Sequence, residues 1–382
     1  MLYGILNLSF WQYIAFTLVT THVTIISVTI YLHRCQAHHS LEVSNGLAHF
    51  FRLWLWLTTG METKAFTAIH RKHHAKCETA DDPHSPQILG LKKVLLEGAE
   101  LYRLEAKNKA TMDRFGTGTP DDWLEHNIYT KYSSKGILLT LFIYIMLLGI
   151  PGITVWATQM AWIPFFASGV INGVGHCLGY RNFECPNAAT NIIPWGILIG
   201  GEELHNNHHT YPTSAKLSNR WWEFDLGWLY IKLFSALGLA KIRRVPPKVQ
   251  ILNNKSNIDH ETLQSILLNQ FAFMSEYTKS VILPIFSQEH NKLNNNIKSL
   301  LIREDSLIDA SSRKSLEWFL KDKKILREAY MLRQSLNNIW QQTTASQKEL
   351  VTALQDWCNH AETTGIKYLQ EFVLYIRGYS VL

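Results

Sequence analysis

Three short strings in this chain put imidazoles where they can converge. HRCQAHH supplies His33, His38 and His39, HRKHH supplies His70, His73 and His74 with His84 downstream, and HNNHH supplies His205, His208 and His209. Together with His176 these positions hold eleven of the 17 histidines. On a helix the spacing i, i+3, i+4 of HxxHH places three rings on one face, where they meet. Neutral imidazole is a ligand for zinc, copper, iron and nickel. A structural zinc takes about four ligands and a catalytic zinc about three, so eight or nine imidazoles point to two metal ions. Neither box has the glutamate of HExxH, which ranks a zinc protease low. His22, His49, His126, His260, His290 and His360 stand apart and are expected to be structural or solvent-exposed. His39 and His84 are open between that role and ligation.

The elements that carry these rings are read from charge and hydropathy. The chain has 382 residues, a net charge of +6 and a mean hydropathy of -0.06, an average that hides a division. No Asp, Glu, Lys or Arg occurs from Met1 to His33, or across the 45 residues Gly136 to Tyr180. A crossing helix needs about 20 apolar residues. The first run therefore predicts one span near Phe10–Leu32, and the second predicts two, broken at GIPG (Gly149–Gly152). Leu47–Leu57, shorter and carrying His49 and Arg52, is expected to lie in the interface. The fold class is all-α: about three transmembrane spans plus interfacial helices, a cytoplasmic histidine cap and a C-terminal helical extension. Lys and Arg crowd the segment after His33 and the run KIRR (Lys241–Arg244), which sets the N-terminus outside and the histidines in the cytoplasm. The first span has no basic start or small-residue cleavage site, so a retained span is expected rather than a signal peptide. Each histidine group falls at a span end, where ionisable residues are functional candidates. The basic charge fits an anionic lipid surface, and no nucleic-acid motif accompanies it.

The five cysteines form no CxxC pair, which disfavours a zinc ribbon or a cysteine-held iron–sulfur cluster. On the cytoplasmic side they are expected to be reduced, small buried residues. A metal transporter would place ligands along a path through the bilayer, whereas these lie on one inferred face.

HRCQAH, HRKHH and HNNHH, in this order, resemble the three histidine boxes of membrane fatty acyl desaturases, the stearoyl-CoA desaturase-like branch in particular. NGVGHCLGYRNF (Asn172–Phe183), ETADDPHSP after the second box and GEELHNNHHTYP (Gly201–Pro212) extend the resemblance, which covers about Phe10 to Arg244. It implies a di-iron site that uses O2 to place a cis double bond, at Δ9, in a saturated long acyl chain. It assigns iron to His33, His38, His70, His73, His74, His176, His205, His208 and His209, and a water-mediated contact to Asn172. Glu202 and Glu203 are expected to orient third-box imidazoles, since a ligating histidine needs a partner on its other nitrogen. Thr17, Thr21 and Thr24 recur at helical spacing and either line the acyl slot or bond their own helix.

Two positions depart from the resemblance. An Arg-Asp pair that helps the animal enzymes hold CoA is replaced by Ala68 and Ile69, which leaves CoA and membrane lipid both open as the acyl carrier. A common Trp four residues before the second box is Phe66, which reshapes the slot. No G-x-G-x-x-G, cluster spacing or haem module is visible, so an external electron donor is expected: a ferredoxin, a cytochrome or a flavin reductase. The location implied is the inner cell membrane, multi-pass. A di-iron hydroxylase or ketolase shares the boxes and is the alternative; a metal-handling membrane protein is the reading from another class. Residues 1–246 are expected to form the desaturase domain, and 247–382 a polar helical extension whose apolar residues recur at helical spacing. HNKLNNNIKSL reads as a linker or helix end.

Overall fold

The charge-free start of the chain folds as one long helix, α1 (Phe10–Ala37). A computed structural model describes residues 3–252, 255–289, 295–342 and 344–381. His290 and the start of HNKLNNNIKSL lie outside the described residues. The chain divides into two compact units: Met1–Arg181 with Asn187–Pro246, and Asn182–Pro186 with Pro247–Leu382.

In the first unit α1 is followed by α2 (Asn45–Thr58), α3 (Thr63–Lys76), α4 (Leu91–Ala106), α5 (Ser133–Leu148) and α6 (Pro151–Ile163). α6 runs on through wider π-type turns over Pro164–Val174. α7 (His205–Thr210) and α8 (Leu226–Ala236) complete the elements that concern the site. Two short strands, β1 (Leu41–Val43) and β2 (Ala240–Ile242), pair antiparallel with Leu41 opposite Ile242, tying the exit of the first box to the end of the unit.

Ile30, Tyr31 and Leu32 of α1, Phe51 and Leu55 of α2 and Ile231 of α8 form the main apolar core. Nearer the start of α1 the contacts are polar and buried. Tyr144 Oη donates to Gln159 Oε1 at 2.8 Å, and Gln159 Nε2 donates to Thr20 O and Thr24 Oγ1, each at 3.1 Å. Such hydrogen bonds fasten helices where apolar surroundings offer no water as an alternative partner.

The three-span expectation is supported for its first span. Among the described residues α1, with 28, is the one helix both long and apolar enough to cross a membrane. α5 has 16 residues, about 24 Å of rise against a hydrocarbon layer of about 30 Å. Gly149, at φ 74°, ends it in a backbone conformation that suits glycine. α6 and its continuation are longer, but Thr154, Thr158, Gln159 and Asn172 dilute their hydropathy. α2, at 14 residues, spans about 21 Å and is too short to cross. Its Arg52 is buried against Asp122 and Glu125 at 2.6–2.9 Å.

The second unit is a helical bundle in which α9 (His260–Leu268), α10 (Gln270–Tyr277), α11 (Lys324–Gln341), α12 (Gln347–Thr363) and α13 (Lys367–Gly378) share one core. The apolar stripes of its sequence are that core: Leu263, Ile266, Phe273, Leu354, Trp357, Phe372 and Ile376 are buried. β3 (Val249–Ile251) pairs antiparallel with β4 (Tyr379–Val381), closing the chain end onto the unit's start.

Candidate metal centre

The first box sits where α1 departs from regular α geometry. From Ser27 its turns take the π form, in which an N–H donates five residues back. His38 N–H thus donates to His33 C=O at 3.1 Å, and the two rings lie with centroids 4.9 Å apart. The second box occupies the end of α3, where His70 and His74 are one turn apart and His73 turns inward. The third box is α7 itself. Its asparagines brace it: Asn207 Nδ2 donates to Glu223 Oε2 at 2.8 Å and to Leu217 O at 3.0 Å. His176 follows the π-type turns that extend α6, and its chain is held by Thr190 N–H donating to Gly175 O at 2.7 Å.

Nine rings meet in two groups. In the first, Nε2 of His38 lies 2.7 Å from that of His70, which lies 3.1 Å from His74; His74 is 2.8 Å from His208, and His208 is 3.1 Å from His33. In the second, Nε2 of His73 lies 3.3 Å from that of His209, His209 is 3.1 Å from His205, and His205 is 3.0 Å from His176. Two imidazoles that share a metal at about 2.0–2.1 Å each, at angles between square and tetrahedral, stand about 2.9–3.4 Å apart. The donor set therefore fits metal ions. The ligand atoms of His33, His38, His70 and His208, and separately those of His73, Cys77, His176 and His209, lie within 4.8 Å of one another.

Three carboxylates fix which nitrogen faces inward. His33 Nδ1 donates to Glu202 Oε1 at 2.9 Å, His73 Nδ1 to Asp82 Oδ1 at 3.0 Å, and His176 Nδ1 to Glu78 Oε1 at 3.2 Å. Each bond places the ring proton on Nδ1 and leaves the Nε2 lone pair for a metal. The carboxylates are themselves held. Asp82 accepts the N–H groups of Glu78 and His84, and Glu78 accepts that of Ala188. Glu78 adopts φ 61°, a left-handed conformation rare outside glycine. Burial, then the neighbouring rings, pushes the pKa of His38, His70, His74, His205, His208 and His209 well down, which favours neutral rings. Burial opposes the charge on Glu202, but His33 and Arg34 outweigh it and hold the carboxyl below its ordinary range.

A largely apolar cavity of about 70 Å³ reaches the centre, lined by Val28, Met61, Phe66, Ile69, Ile163, Ile171 and Ile199, with His33, His70, His84, His205, Asn172 and Glu202 as polar neighbours. Phe66 stacks on His70, centroids 5.8 Å apart and planes 6° from parallel.

The structure corrects several sequence expectations. Glu202 serves His33 of the first box rather than a third-box ring. Glu203 meets no imidazole: its carboxylate accepts N–H from Leu198, Ile199 and Gly201 and closes the turn before α7. Thr17, Thr21 and Thr24 do not line the cavity. Thr17 and Thr24 bond the carbonyls four residues back, and Thr24 also accepts from Trp54. His39 is exposed and its Nε2 accepts from Arg71 at 2.8 Å, outside the cluster. Cys35, Cys185 and Cys358 are buried as expected, whereas Cys177 is exposed and Cys77 is half-buried beside the second group.

Comparison with known proteins follows the same residues. Residues 9–233 match the model of the family described as Fatty acid desaturase. The chain belongs to the fatty acid desaturase family. It is 29% identical over 231 residues to the sn-1 stearoyl-lipid 9-desaturase of Synechocystis, covering 60% of this chain and 70% of that one. It is 27% identical to the sn-1 stearoyl-lipid 9-desaturase of Anabaena variabilis, covering 59% and 81%. With an acyl-CoA 5-desaturase of Anemone leveillei the identity is 29%, covering 59% and 69%. A second family, described as Transposase, matches residues 270–381, which is less than half of the chain and excludes every histidine of the cluster.

Members of the desaturase family are oxidoreductases of lipid metabolism, and the whole of this chain's histidine centre falls inside the matched region. Glu78, Asp82 and Cys77 were not legible beforehand. Asp82 lies within ETADDPHSP, and a carboxylate nine residues past a box histidine (the separation from His73) carries no periodic signal.

Proposed function

We propose that this chain is an O2-dependent fatty acyl desaturase that introduces a cis double bond, at Δ9, into a saturated long acyl chain. The observation that carries the reading is the sorting of nine imidazoles into two groups, with His33, His70 and His205 among them lining an apolar cavity. His33, His38, His70, His74 and His208 would hold one iron, and His73, His176, His205 and His209 the other, with Asn172 reached through water. Iron there would supply the O2 chemistry needed to take hydrogen from an unactivated methylene pair.

The chain's own residues do the rest. Glu202, Asp82 and Glu78 hold ring orientation and ring protons. The apolar walls exclude water and take up the acyl tail. Regiochemistry follows from how far the tail advances before it meets His70, on which Phe66 is stacked.

Two relatives named for lipid-linked acyl chains and one named for acyl-CoA leave both carriers in view. Ala68 and Ile69, both buried, offer no charged clamp before the second box, which favours an acyl-lipid. α1 and the exposed apolar residues of α5, among them Leu138, Phe142 and Met146, favour multi-pass association with the inner membrane. The histidine centre would then face the cytoplasm, where an external ferredoxin, cytochrome or flavin reductase delivers electrons.

The test is a double-bond-positioned lipid profile in a host without its own oxygen-dependent desaturase. Monounsaturated chains are expected with the native protein and not with His73→Ala. Hydroxylated chains would replace this reading with a hydroxylase, and activity retained in His73→Ala would remove the histidine centre from the reaction.

A further inference from the structure

One buried imidazole at the cavity is left over from the nine. His84 is 6% exposed and lines the cavity that His33, His70, His205 and Asn172 also line. Its ring lies over that of His73, centroids 4.5 Å apart and planes 31° from parallel. It belongs to neither chain of close Nε2 approaches; one of its ring nitrogens lies within 4.8 Å of ligand atoms of His73 and Asp82, but that carboxylate is already engaged by His73 Nδ1 and by the Glu78 and His84 N–H groups.

Its Nε2 is buried and has no hydrogen-bond partner. The backbone fixes it there, because His84 N–H donates to Asp82 Oδ1 at 3.1 Å while the same carboxylate anchors His73. An unpartnered buried polar atom is costly and calls for an explanation. An acyl tail provides none, since it has no polar atom to offer. A second unpartnered atom, Tyr102 Oη, lines the same cavity. The cavity is thus furnished for a small polar guest beside the metal centre as well as for a hydrocarbon.

We propose that His84 Nε2 is a hydrogen-bonding site for a small oxygen- or nitrogen-bearing ligand that enters the cavity at the second histidine group, and that His84 is not itself a metal ligand. The inference rests on the reading of the nine histidines as an iron centre. It separates the ring stack on His73, which is structural, from the Nε2 atom, which would position the guest.

Azide is a suitable probe, because it binds ferric centres with a visible charge-transfer band and carries lone pairs for a donor. Full-length protein in detergent, native and with His84→Phe or His84→Gln, would be loaded with iron, assayed for bound iron and titrated with azide. His84→Phe keeps the stack and removes the nitrogen; His84→Gln keeps an N–H and removes the ring. All three are expected to bind the same iron. Azide affinity is expected to fall about tenfold in His84→Phe and to stay within about threefold of native in His84→Gln. Loss of an iron equivalent in both variants would make His84 a ligand and overturn the proposal, as would native azide affinity in His84→Phe. If His84→Phe does not accumulate, a tenfold loss in His84→Gln overturns it and a near-native value upholds it. A native chain that binds no iron would instead overturn the iron-centre reading, and this inference with it.

Discussion

Glu202 and His33 stand 169 residues apart in sequence, yet the carboxylate Oε1 lies 2.9 Å from the ring's Nδ1. Thr29 Oγ1 donates to the same oxygen at 2.5 Å, so the acceptor is itself fixed. Replacing it with Gln turns an ionic acceptor into a neutral amide and loosens both the tautomer and the aim of His33. Removing such a partner typically lowers metal affinity or activity about 10–100-fold. Glu202→Gln is expected to bind iron more weakly by that order, measured against a competing chelator, and to keep the native fold by circular dichroism. Unchanged affinity would mean that packing alone aims His33.

His208 bridges two boxes, with Nε2 3.1 Å from that of His33 and 2.8 Å from that of His74. No other ring in the first group connects the helix ends of α1 and α3 through α7. His208→Ala should therefore empty the first group while leaving His73, His176, His205 and His209 in place. The expected result is about half the native iron per chain, since each group is read as holding one ion. Loss of all iron would show that the two groups fill only together.

The histidines were legible because HxxHH converts directly into one helix face, and α3 and α7 present their rings that way. Their partners were not, because Glu78 and Asp82 reach the rings through a turn with a left-handed residue, which no helical or strand period encodes. His33 and His38 are five apart, a spacing that regular α geometry does not align. The π-type turns bring them together, and only the backbone shows those. Thr17 and Thr24 resolve the other way, toward the second of the two roles their spacing allows. Their spacing is real, but hydroxyls on an apolar helix turn first to its own carbonyls. The charge-free run after Gly136 reads as two crossings from composition, and among the described residues neither of its helices meets both the length and the hydropathy of a span. The break at Gly149 leaves α5 with 16 residues, and the polar residues of α6 lower its hydropathy, which a count of charges does not register.

Arg34 sits between two histidine-bearing segments and is 1% exposed. Its guanidinium donates to Asp225 Oδ1 and Oδ2 at 2.9 and 3.1 Å, and to the carbonyls of Gly200 and Ala215 at 2.9 and 2.8 Å. It thereby joins α1 to the turn before α7 and to the start of α8. Arg34→Met would leave the Asp225 carboxylate buried without its cation, which typically costs about 3–5 kcal/mol. A lower melting temperature in detergent is expected. The double variant Arg34→Met with Asp225→Leu should recover part of the loss, because it removes the stranded charge. No recovery would place the cost in the carbonyl bonds of Arg34 instead.

Phe66 lines the cavity and lies nearly parallel to His70 at 5.8 Å. A larger ring at this position keeps the stack and takes space from the acyl tail. Overfilling a well-packed site costs about 1–3 kcal/mol, and the cost falls on the substrate that needs the most room. Phe66→Trp is therefore expected to raise the ratio of shorter to longer monounsaturated chains at least about threefold, read by lipid mass spectrometry with bound iron unchanged. A changed iron content would mean that the stack on His70 aims a ligand. An unchanged chain-length ratio, with iron intact, would mean that the tail does not pass this wall.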